Sequence, residues 1–280
     1  MDKDSCIYTL YDISIGAHLD PCDSVELNVR LFLEAAMNES AQFDTIMRNY
    51  LQAHPRKAAF PNIKLPVQNP YKDYAGYGDV EGVYYQINDT LGPAGKVTDW
   101  ILVEIWGNVD TNAFRYTLLE RRALLLTPKG YVVDTLGNVP KFSIYSGGNV
   151  RIVVKHRNHL AVMSRVVPFT LSAYTYDFTL SQNQAYNYYN AYGPMVKNKS
   201  SYPQIHNSVW CLWAADFDMD AFDNAQDLNI FTIHFADNLY TYQLTDVNLD
   251  GIVNVLDQNF VRDNTLRSIY SPVLFFTRNP

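Results

Sequence analysis

Oxygen-bearing side chains recur at a fixed spacing in two twelve-residue segments of this sequence. Loop 1, DFDMDAFDNAQD, begins at Asp216, and loop 2, DVNLDGIVNVLD, begins 30 residues later at Asp246. Each loop places Asp or Asn at positions 1, 3, 5, 9 and 12. These residues are Asp216, Asp218, Asp220, Asn224 and Asp227 in loop 1, and Asp246, Asn248, Asp250, Asn254 and Asp257 in loop 2.

This spacing predicts two calcium sites. Calcium takes about six to eight oxygen ligands, and a twelve-residue loop supplies them from those positions together with a backbone carbonyl at position 7. The carbonyls would come from Phe222 and Ile252. Without an ion the carboxylates repel one another, at about 4 kcal/mol per pair at a separation of about 4 Å and an effective dielectric of about 20. A dication removes that cost, so the tandem match favours two Ca²⁺ ions over solvated acidic turns.

The loops differ at position 6, where the chain turns sharply: loop 2 has Gly251 and loop 1 has Ala221. A left-handed backbone costs a non-glycine residue about 1 kcal/mol, which the additional carboxylate of Asp223 would offset electrostatically. We therefore predict that loop 2 holds its ion at least as firmly as loop 1.

One helix is predicted after each loop, because apolar residues recur there at helical spacing and would pack one face against a core. These residues are Leu228, Phe231 and Phe235 after loop 1, and Val253, Leu256 and Phe260 after loop 2. The segment 216–264 also carries ten Asp and one basic residue, a net −9 within a total of −7. Such an acidic block repels phosphates and argues against nucleic acid as a partner.

The elements before these loops predict a β-sandwich. Short strand candidates are separated by turn signals and do not alternate with long helices. They cover 99–106, 116–126, 131–134, 150–156 and 165–180, after an alternating strand at 25–34 and a short helix at 41–53. The predicted parts are thus an N-terminal strand and helix region packing on the sandwich (1–96), the sandwich (97–180), a polar connector (181–208) and the calcium-loop module (209–280).

No apolar run is long enough to span a membrane, and no signal-peptide stretch follows Met1, so we expect a mature protein or a piece of a longer one. Cys6 and Cys22 either form a disulfide that pins the N-terminus or stay, with Cys211, as buried thiols. His156 and His159 could bind a metal, but without an acidic partner or third ligand nearby in the sequence we expect a buried, hydrogen-bonded corner.

No motif predicts an enzyme, since GxSxG, GxGxxG, P-loop and HExxH signatures are absent. Glu104 and Glu120 could be read as a glycosidase pair, but any β protein offers such carboxylates. The aromatic residues either pack in the core and loops or form a sugar-stacking platform. They are Trp100, Trp106, Trp210, Trp213 and the Tyr-rich stretch 186–192.

Both loops end in Asp rather than in the Glu of the EF-hand, and one helix is expected after each. Over about fifty residues this resembles the duplicated repeat of dockerin modules. Dockerins present small hydroxyl residues at loop positions 10 and 11 to their cohesin partner, and these positions hold Ala225, Gln226, Val255 and Leu256 here. Cohesin binding is therefore disfavoured, and we expect Val255 and Leu256 to pack against the sandwich.

Further segments are similar to a recurrent module of large surface proteins exported by the bacterial type IX secretion system. They are VELNVRLFLEAAMN, TDWILVEIW, RRALLL, VRIVVKHRNHLAVMS, LWAADFDMD and TDVNLDGIV. This resemblance implies export to the cell surface and a non-enzymatic structural or adhesive role, with a protein or glycan as partner. The predicted fold is mainly β, a β-sandwich followed by a small helical dockerin-like module. The alternative function is a carbohydrate-binding accessory module of a polysaccharide-degrading system.

Overall fold

The computed structural model describes residues 24–37, 47, 65–66, 68–73, 97–110, 115–144, 148–169, 172–188, 191–198, 209–237 and 242–273. Two sequence-based predictions lie outside these residues. One is the disulfide between Cys6 and Cys22. The other is the helix at 41–53, apart from Met47, which forms a β-bridge with Met37.

Within the described part of the chain the protein is mainly β, as predicted, with two α-helices. The strands are β1 Val25–Arg30, β2 Asp99–Asp110, β3 Arg115–Leu126, β4 Val132–Val133, β5 Lys141–Phe142, β6 Gly148–His156, β7 His159–Met163, β8 Val167–Phe169, β9 Ala173–Asp177, β10 Val196–Asn198 and β11 Val209–Cys211. The helices are α1 Ala225–Asp237 and α2 Val255–Thr265, with short 3₁₀ turns at Pro70–Asp73, Phe178–Leu180 and Gln182–Gln184. The predicted strand at 165–180 is thus divided into β8, β9 and a 3₁₀ turn, and β7 was not predicted.

A six-stranded antiparallel sheet is the largest element of the fold. Its strands follow the order β4-β3-β2-β6-β7, and β8 also pairs with β6. The inner strand β2 is buried from Trp100 to Trp106, because apolar side chains occupy both of its faces. It therefore reads as a nearly continuous apolar run rather than as an alternating one.

Glu104 is the charged residue within this buried run. Its Oε1 accepts hydrogen bonds from Arg121 Nε at 2.7 Å and from Lys155 Nζ at 3.2 Å. The strand register pairs Glu104 with Arg121 and Ile105 with Glu120. Because successive side chains of a strand point to opposite faces, the two glutamates lie on opposite sides of the sheet. This arrangement excludes them as a glycosidase pair.

A second sheet contains three strands in the order β5-β1-β9. β1 pairs antiparallel with β5 and parallel with β9. Along β1 buried and half-buried residues alternate, with Val25, Leu27 and Val29 buried, which confirms the predicted period. These side chains join the same hydrophobic core as Trp100 and Ile101 of β2, so the two sheets share one core.

The chain after β11 joins these sheets to the C-terminal helices. Leu212 forms a parallel bridge with Leu33, and backbone hydrogen bonds link it to Phe32 and Glu34. A second core then lies among the loops and helices, and its buried members are Ala35, Ala214, Ala215, Phe217, Phe231, Val247, Val253 and Val261. The predicted connector at 181–208 contains regular structure, because β10 lies within it and pairs with β11. No helix in the described part of the chain has the length and apolar character needed to cross a membrane.

A buried carboxylate, Asp99 at the start of β2, links the large sheet to the segment before loop 2. It accepts hydrogen bonds from Trp100 N at 2.7 Å, Arg157 Nε at 2.9 Å and Tyr242 Oη at 2.7 Å. Burial alone would raise the pKa of Asp99, but the charge of Arg157 and the contact with His156 outweigh it and lower the pKa to about 2. Asp99 is therefore ionised in the folded protein.

The Asp99→Asn variant tests this ion pair through its pH dependence. Above about pH 4 it should be less stable than the parent by about 3 kcal/mol, because Arg157 stays buried without its counter-charge. The pKa of Asp99 is lower in the folded than in the unfolded chain, so its stabilisation is lost as the pH falls from about 4 to about 2. Urea unfolding across pH 2–6 should show that the difference in the free energy of unfolding between the parent and the variant shrinks as the pH falls from about 4 to about 2. A difference independent of pH would contradict the assignment.

Candidate metal centre

Loops 1 and 2 have the same backbone conformation. In loop 1, Met219 at position 4 and Ala221 at position 6 have φ angles of 55° and 69°. In loop 2, Leu249 and Gly251 at the same positions have φ angles of 59° and 85°. Positive φ is uncommon for residues other than glycine, so its repetition shows that one loop fold occurs twice. The predicted left-handed conformation of Ala221 is confirmed.

Backbone N–H groups hold the side chains at the first positions of each loop. The position-1 carboxylate accepts from the position-6 N–H, at 3.2 Å from Ala221 to Asp216 and 2.8 Å from Gly251 to Asp246. Side chains at positions 3 and 5 accept from residues two positions further along. In loop 1 the side chain of Asp218 accepts from Asp220 N, and that of Asp220 accepts from Phe222 N. In loop 2 the side chain of Asn248 accepts from Asp250 N, and that of Asp250 accepts from Ile252 N.

The position-12 carboxylate closes each loop. In loop 1 the oxygens of Asp227 accept hydrogen bonds from Phe217 N at 2.7 Å and Asn224 N at 2.9 Å. The equivalent bonds in loop 2 join Asp257 to Val247 N and Asn254 N, each at 3.0 Å. Every predicted side-chain ligand thus lies in a loop that folds back on itself, and the bonds described above for positions 1, 3, 5 and 12 occur in both loops.

Position 9 starts the helix in both loops. The side-chain oxygens of Asn224 and Asn254 accept from Gln226 N at 2.8 Å and Leu256 N at 2.7 Å, as in an N-cap. In consequence α1 and α2 both begin at loop position 10. An Asn at this position therefore has two possible roles, as a helix cap and as an ion ligand.

Loop 1 brings three carboxylates together. One oxygen each from Asp216, Asp218 and Asp227 lies within 4.8 Å of the others, which is a spacing that could hold a metal ion. Burial, followed by the carboxylates of Asp227, Asp220 and Asp218, raises the pKa of Asp216 well above its ordinary value. Burial is also the main cause that raises the pKa of Asp227 to about 6.

The Oδ1 atom of Asp216 is buried and has no hydrogen-bond partner among the described residues. Leaving a buried acceptor unsatisfied costs about 1–3 kcal/mol. A cation in contact with this oxygen would remove that cost and the repulsion among its neighbours at the same time. The donor set of loop 1 therefore fits a hard cation that prefers oxygen.

Loop 2 has fewer charges and more internal hydrogen bonds. Its position 3 is Asn248, which donates through Nδ2 to Asp250 at 3.3 Å. Oδ1 of Asp246 accepts from Asp250 N at 3.1 Å, in addition to the bond from Gly251. Burial and the carboxylate of Asp257 still raise the pKa of Asp246 well above its ordinary value, and burial raises that of Asp257 to about 7.

Asp223, at position 8 of loop 1, contacts the second helix. Its Oδ1 accepts a hydrogen bond from Thr265 Oγ1 of α2 at 2.9 Å, so the side chain faces the second helix. Burial raises its pKa to about 9 despite that bond, with further contributions from Asp227 and Glu34. Thr265 of α2 is thus a partner of Asp223 that no spacing within loop 1 indicated.

The predicted apolar stripes are only partly right. Phe231 and Val253 are buried, and Val261, which the stripes omit, is fully buried. Val255 and Leu256 were expected to pack against the sandwich but are 56% and 53% exposed. They occupy the first turn of α2 on the side away from the core that α1 and α2 share. Leu228 and Phe260 are half-buried, whereas Phe235 is exposed.

His156 and His159 are buried and face each other, with their Nδ1 atoms 3.2 Å apart. Burial lowers the pKa of both imidazoles, which leaves them neutral at pH 7. The buried corner is confirmed, but an acidic partner exists: Asp99 Oδ2 lies 3.3 Å from His156 Nε2. No local pattern indicated this partner, because strand pairing brings Asp99 there from a distant part of the chain.

Three of the four tryptophans are unavailable for stacking on sugars. Trp100, Trp106 and Trp213 are 0%, 6% and 5% exposed. Each donates its indole N–H within the protein, to Pro66 O, Glu104 Oε2 and Gly193 O respectively. These residues belong to the core, which is the other interpretation that the sequence allowed.

Comparison with family models, curated proteins and solved structures returns no match to this chain. The functional argument therefore rests on the geometry of the two loops.

Position 6 offers a reciprocal test of the loop conformation. Replacing Ala221 by Gly removes about 1 kcal/mol of left-handed strain, and the net gain is smaller because glycine also loosens the unfolded chain. Replacing Gly251 by Ala introduces that strain and should lower stability by about 1 kcal/mol. Urea unfolding in saturating calcium measures both changes. If both substitutions destabilise equally, side-chain packing rather than backbone conformation controls this position.

Proposed function

We propose that the protein binds two Ca²⁺ ions, one in each loop, and that the ions stabilise a dockerin-like helical module. The observation that carries the proposal is the repetition of one oxygen-rich loop conformation. The buried, unpartnered oxygen of Asp216 supports it for loop 1. Calcium is the cation whose coordination by a twelve-residue loop needs oxygens at these positions.

Each ion would be held by five side chains and one backbone carbonyl. In loop 1 these are Asp216, Asp218, Asp220, Asn224 and Asp227 with the carbonyl of Phe222, and in loop 2 they are Asp246, Asn248, Asp250, Asn254 and Asp257 with the carbonyl of Ile252. When bound, the ion supplies positive charge that cancels repulsion among the carboxylates. The residues of the chain supply the shape, since their N–H bonds already hold the loops closed.

Two opposing effects decide which loop binds more tightly. Gly251 turns without strain, which favours loop 2 as predicted from the sequence. Loop 1 has the larger number of carboxylates and the unpartnered oxygen of Asp216, both of which favour loop 1. The order therefore stays a prediction, which the single-loop variants below decide.

The wider proposal is a non-catalytic structural or adhesive protein of the bacterial surface. The two sheets with their common core would form a β-sandwich, and the calcium-loaded helices would be docked on it. Calcium loops of extracellular modules have dissociation constants of about 10⁻⁴ to 10⁻³ M, so loops of modest affinity would be loaded outside the cell. The partner in this proposal is a surface protein or glycan.

The observations on other residues lend less support to the alternative functions. The buried carboxylate of Glu104 forms ion pairs with Arg121 and Lys155, so it is not available to a substrate. The imidazoles of His156 and His159 are buried and do not face a substrate either. A pocket of about 420 Å³ beside α2 has Trp213 in its lining, but that ring is almost fully covered. Trp100, Trp106 and Trp213 therefore provide no exposed aromatic surface on which a carbohydrate could stack.

Calcium should raise the thermal stability of the protein. Because the ion binds the folded loop and scarcely the unfolded one, a hundredfold excess over Kd adds about 2.7 kcal/mol for each site. Differential scanning calorimetry with calcium or a chelator measures the shift, and titration calorimetry counts the ions, with two expected. Asp216→Asn and Asp246→Asn should each abolish one site, and the affinity that remains ranks the loops. Identical melts and no binding heat for the parent protein would refute the calcium proposal.

A further inference from the structure

The hairpin turn between β6 and β7 is buried, although turns normally lie at the surface. His156, Arg157, Asn158 and His159 are each at most 1% exposed. The turn is covered by the two chain segments that lead into loops 1 and 2. The polar groups of a buried turn form hydrogen bonds inside the protein. Their partners therefore show which chain segments the turn keeps in place.

Asn158 contacts both of these segments. Its Nδ2 donates hydrogen bonds to the backbone carbonyls of Leu244 and Asp246, both at 2.9 Å. Its own backbone carbonyl accepts from Ala215 N, also at 2.9 Å. Asp246 is position 1 of loop 2, and Ala215 directly precedes position 1 of loop 1. One residue of the large sheet therefore holds the entrances of both loops.

Neighbouring contacts fix the orientation of Asn158. Its Oδ1 lies 2.8 Å from Nδ1 of His159, which leaves the amide nitrogen to face the two carbonyls. On one side Leu160 N donates to Trp213 O at 2.8 Å, and on the other Arg157 donates to the carbonyl of Gln243. The segments entering both loops are thus tied to the same hairpin.

The side chain at position 158 must supply two N–H donors and one acceptor at short reach, which asparagine does. Aspartate would set oxygens against the carbonyls of Leu244 and Asp246, and alanine would leave both carbonyls without this donor. The position-1 carboxylates are attached to the backbone that these bonds fix. A shift of that backbone would displace the first ligand of each ion.

We propose that Asn158 is a positioning residue for both calcium loops, so that the two ions bind as a coupled pair and stabilise the large sheet along with the helices. This inference rests on the proposed calcium binding of loops 1 and 2. It adds that neither loop is independent: the sheet sets the affinity of both, and loading either loop favours the other.

Asn158→Ala should weaken calcium binding at both loops. Residues that orient metal ligands typically contribute about 10- to 100-fold to affinity, and we expect a loss of that size at each site. The matched control is Ser164→Ala, which removes buried hydrogen bonds at the far end of the same hairpin, to Ile152 N and Arg165 O, with no contact to either loop. It should lower the melting temperature while both calcium affinities stay at the parental value. Asn158→Ser, which keeps one donor, should give an intermediate loss and serves if the alanine variant does not fold.

Titration calorimetry of the full chain with calcium alone, below the melting temperature of every variant, separates the outcomes. Two ions bound by the parent and weaker binding at both sites of the Asn158 variants support the inference. Affinities equal to those of Ser164→Ala, or a loss confined to one loop, overturn it while the proposed calcium function stands. No binding by the parent protein overturns both.

Discussion

Buried carboxylates that the chain itself does not neutralise are the constraint on which this structure depends. In the large sheet, Asp99 faces Arg157, and Glu104 faces Arg121 and Lys155, so each buried negative charge has a cation of the chain beside it. In loop 1, burial and the neighbouring carboxylates raise the pKa of Asp216 well above its ordinary value. In loop 2, burial and the carboxylate of Asp257 raise the pKa of Asp246 although the charge of Arg157 acts against them. A divalent cation would neutralise the carboxylates of the loops, as arginine and lysine neutralise those of the sheet.

The contacts around the β6–β7 turn make the loops an extension of the sheet rather than an appended module. Asp99, Arg157 and Tyr242 form one buried network at the base of loop 2, and Asn158 reaches both loop entrances. Burial strengthens these bonds and raises the cost of breaking any one of them. If the proposed ions bind, loss of either one would therefore lower the stability of the sheet as well as that of the loop.

Local patterns predicted what depends on local geometry. The period of two in Val25–Arg30 identified β1, and the Asp and Asn spacing identified two loops whose conformations match. The predictions that failed concerned what a side chain faces. Val255 and Leu256, expected to pack against the sandwich, are apolar yet exposed, and Phe235 of the predicted apolar stripe is exposed as well. Whether such a side chain is covered depends on which distant segments pack beside it, and no spacing along the chain encodes that.

The sequence by itself determined the oxygen set of each loop, the start of a helix after it and the left-handed turn at position 6, because all three arise within twelve consecutive residues. Only the tertiary structure decided which carboxylates are neutralised and which loop residues are anchored. Asp99 meets Arg157 across 58 residues, and Asn158 meets Asp246 across 88. Those pairings follow from the register of β2 on β6 and from the burial of a hairpin turn, which exist only once the sheets have packed around their common core.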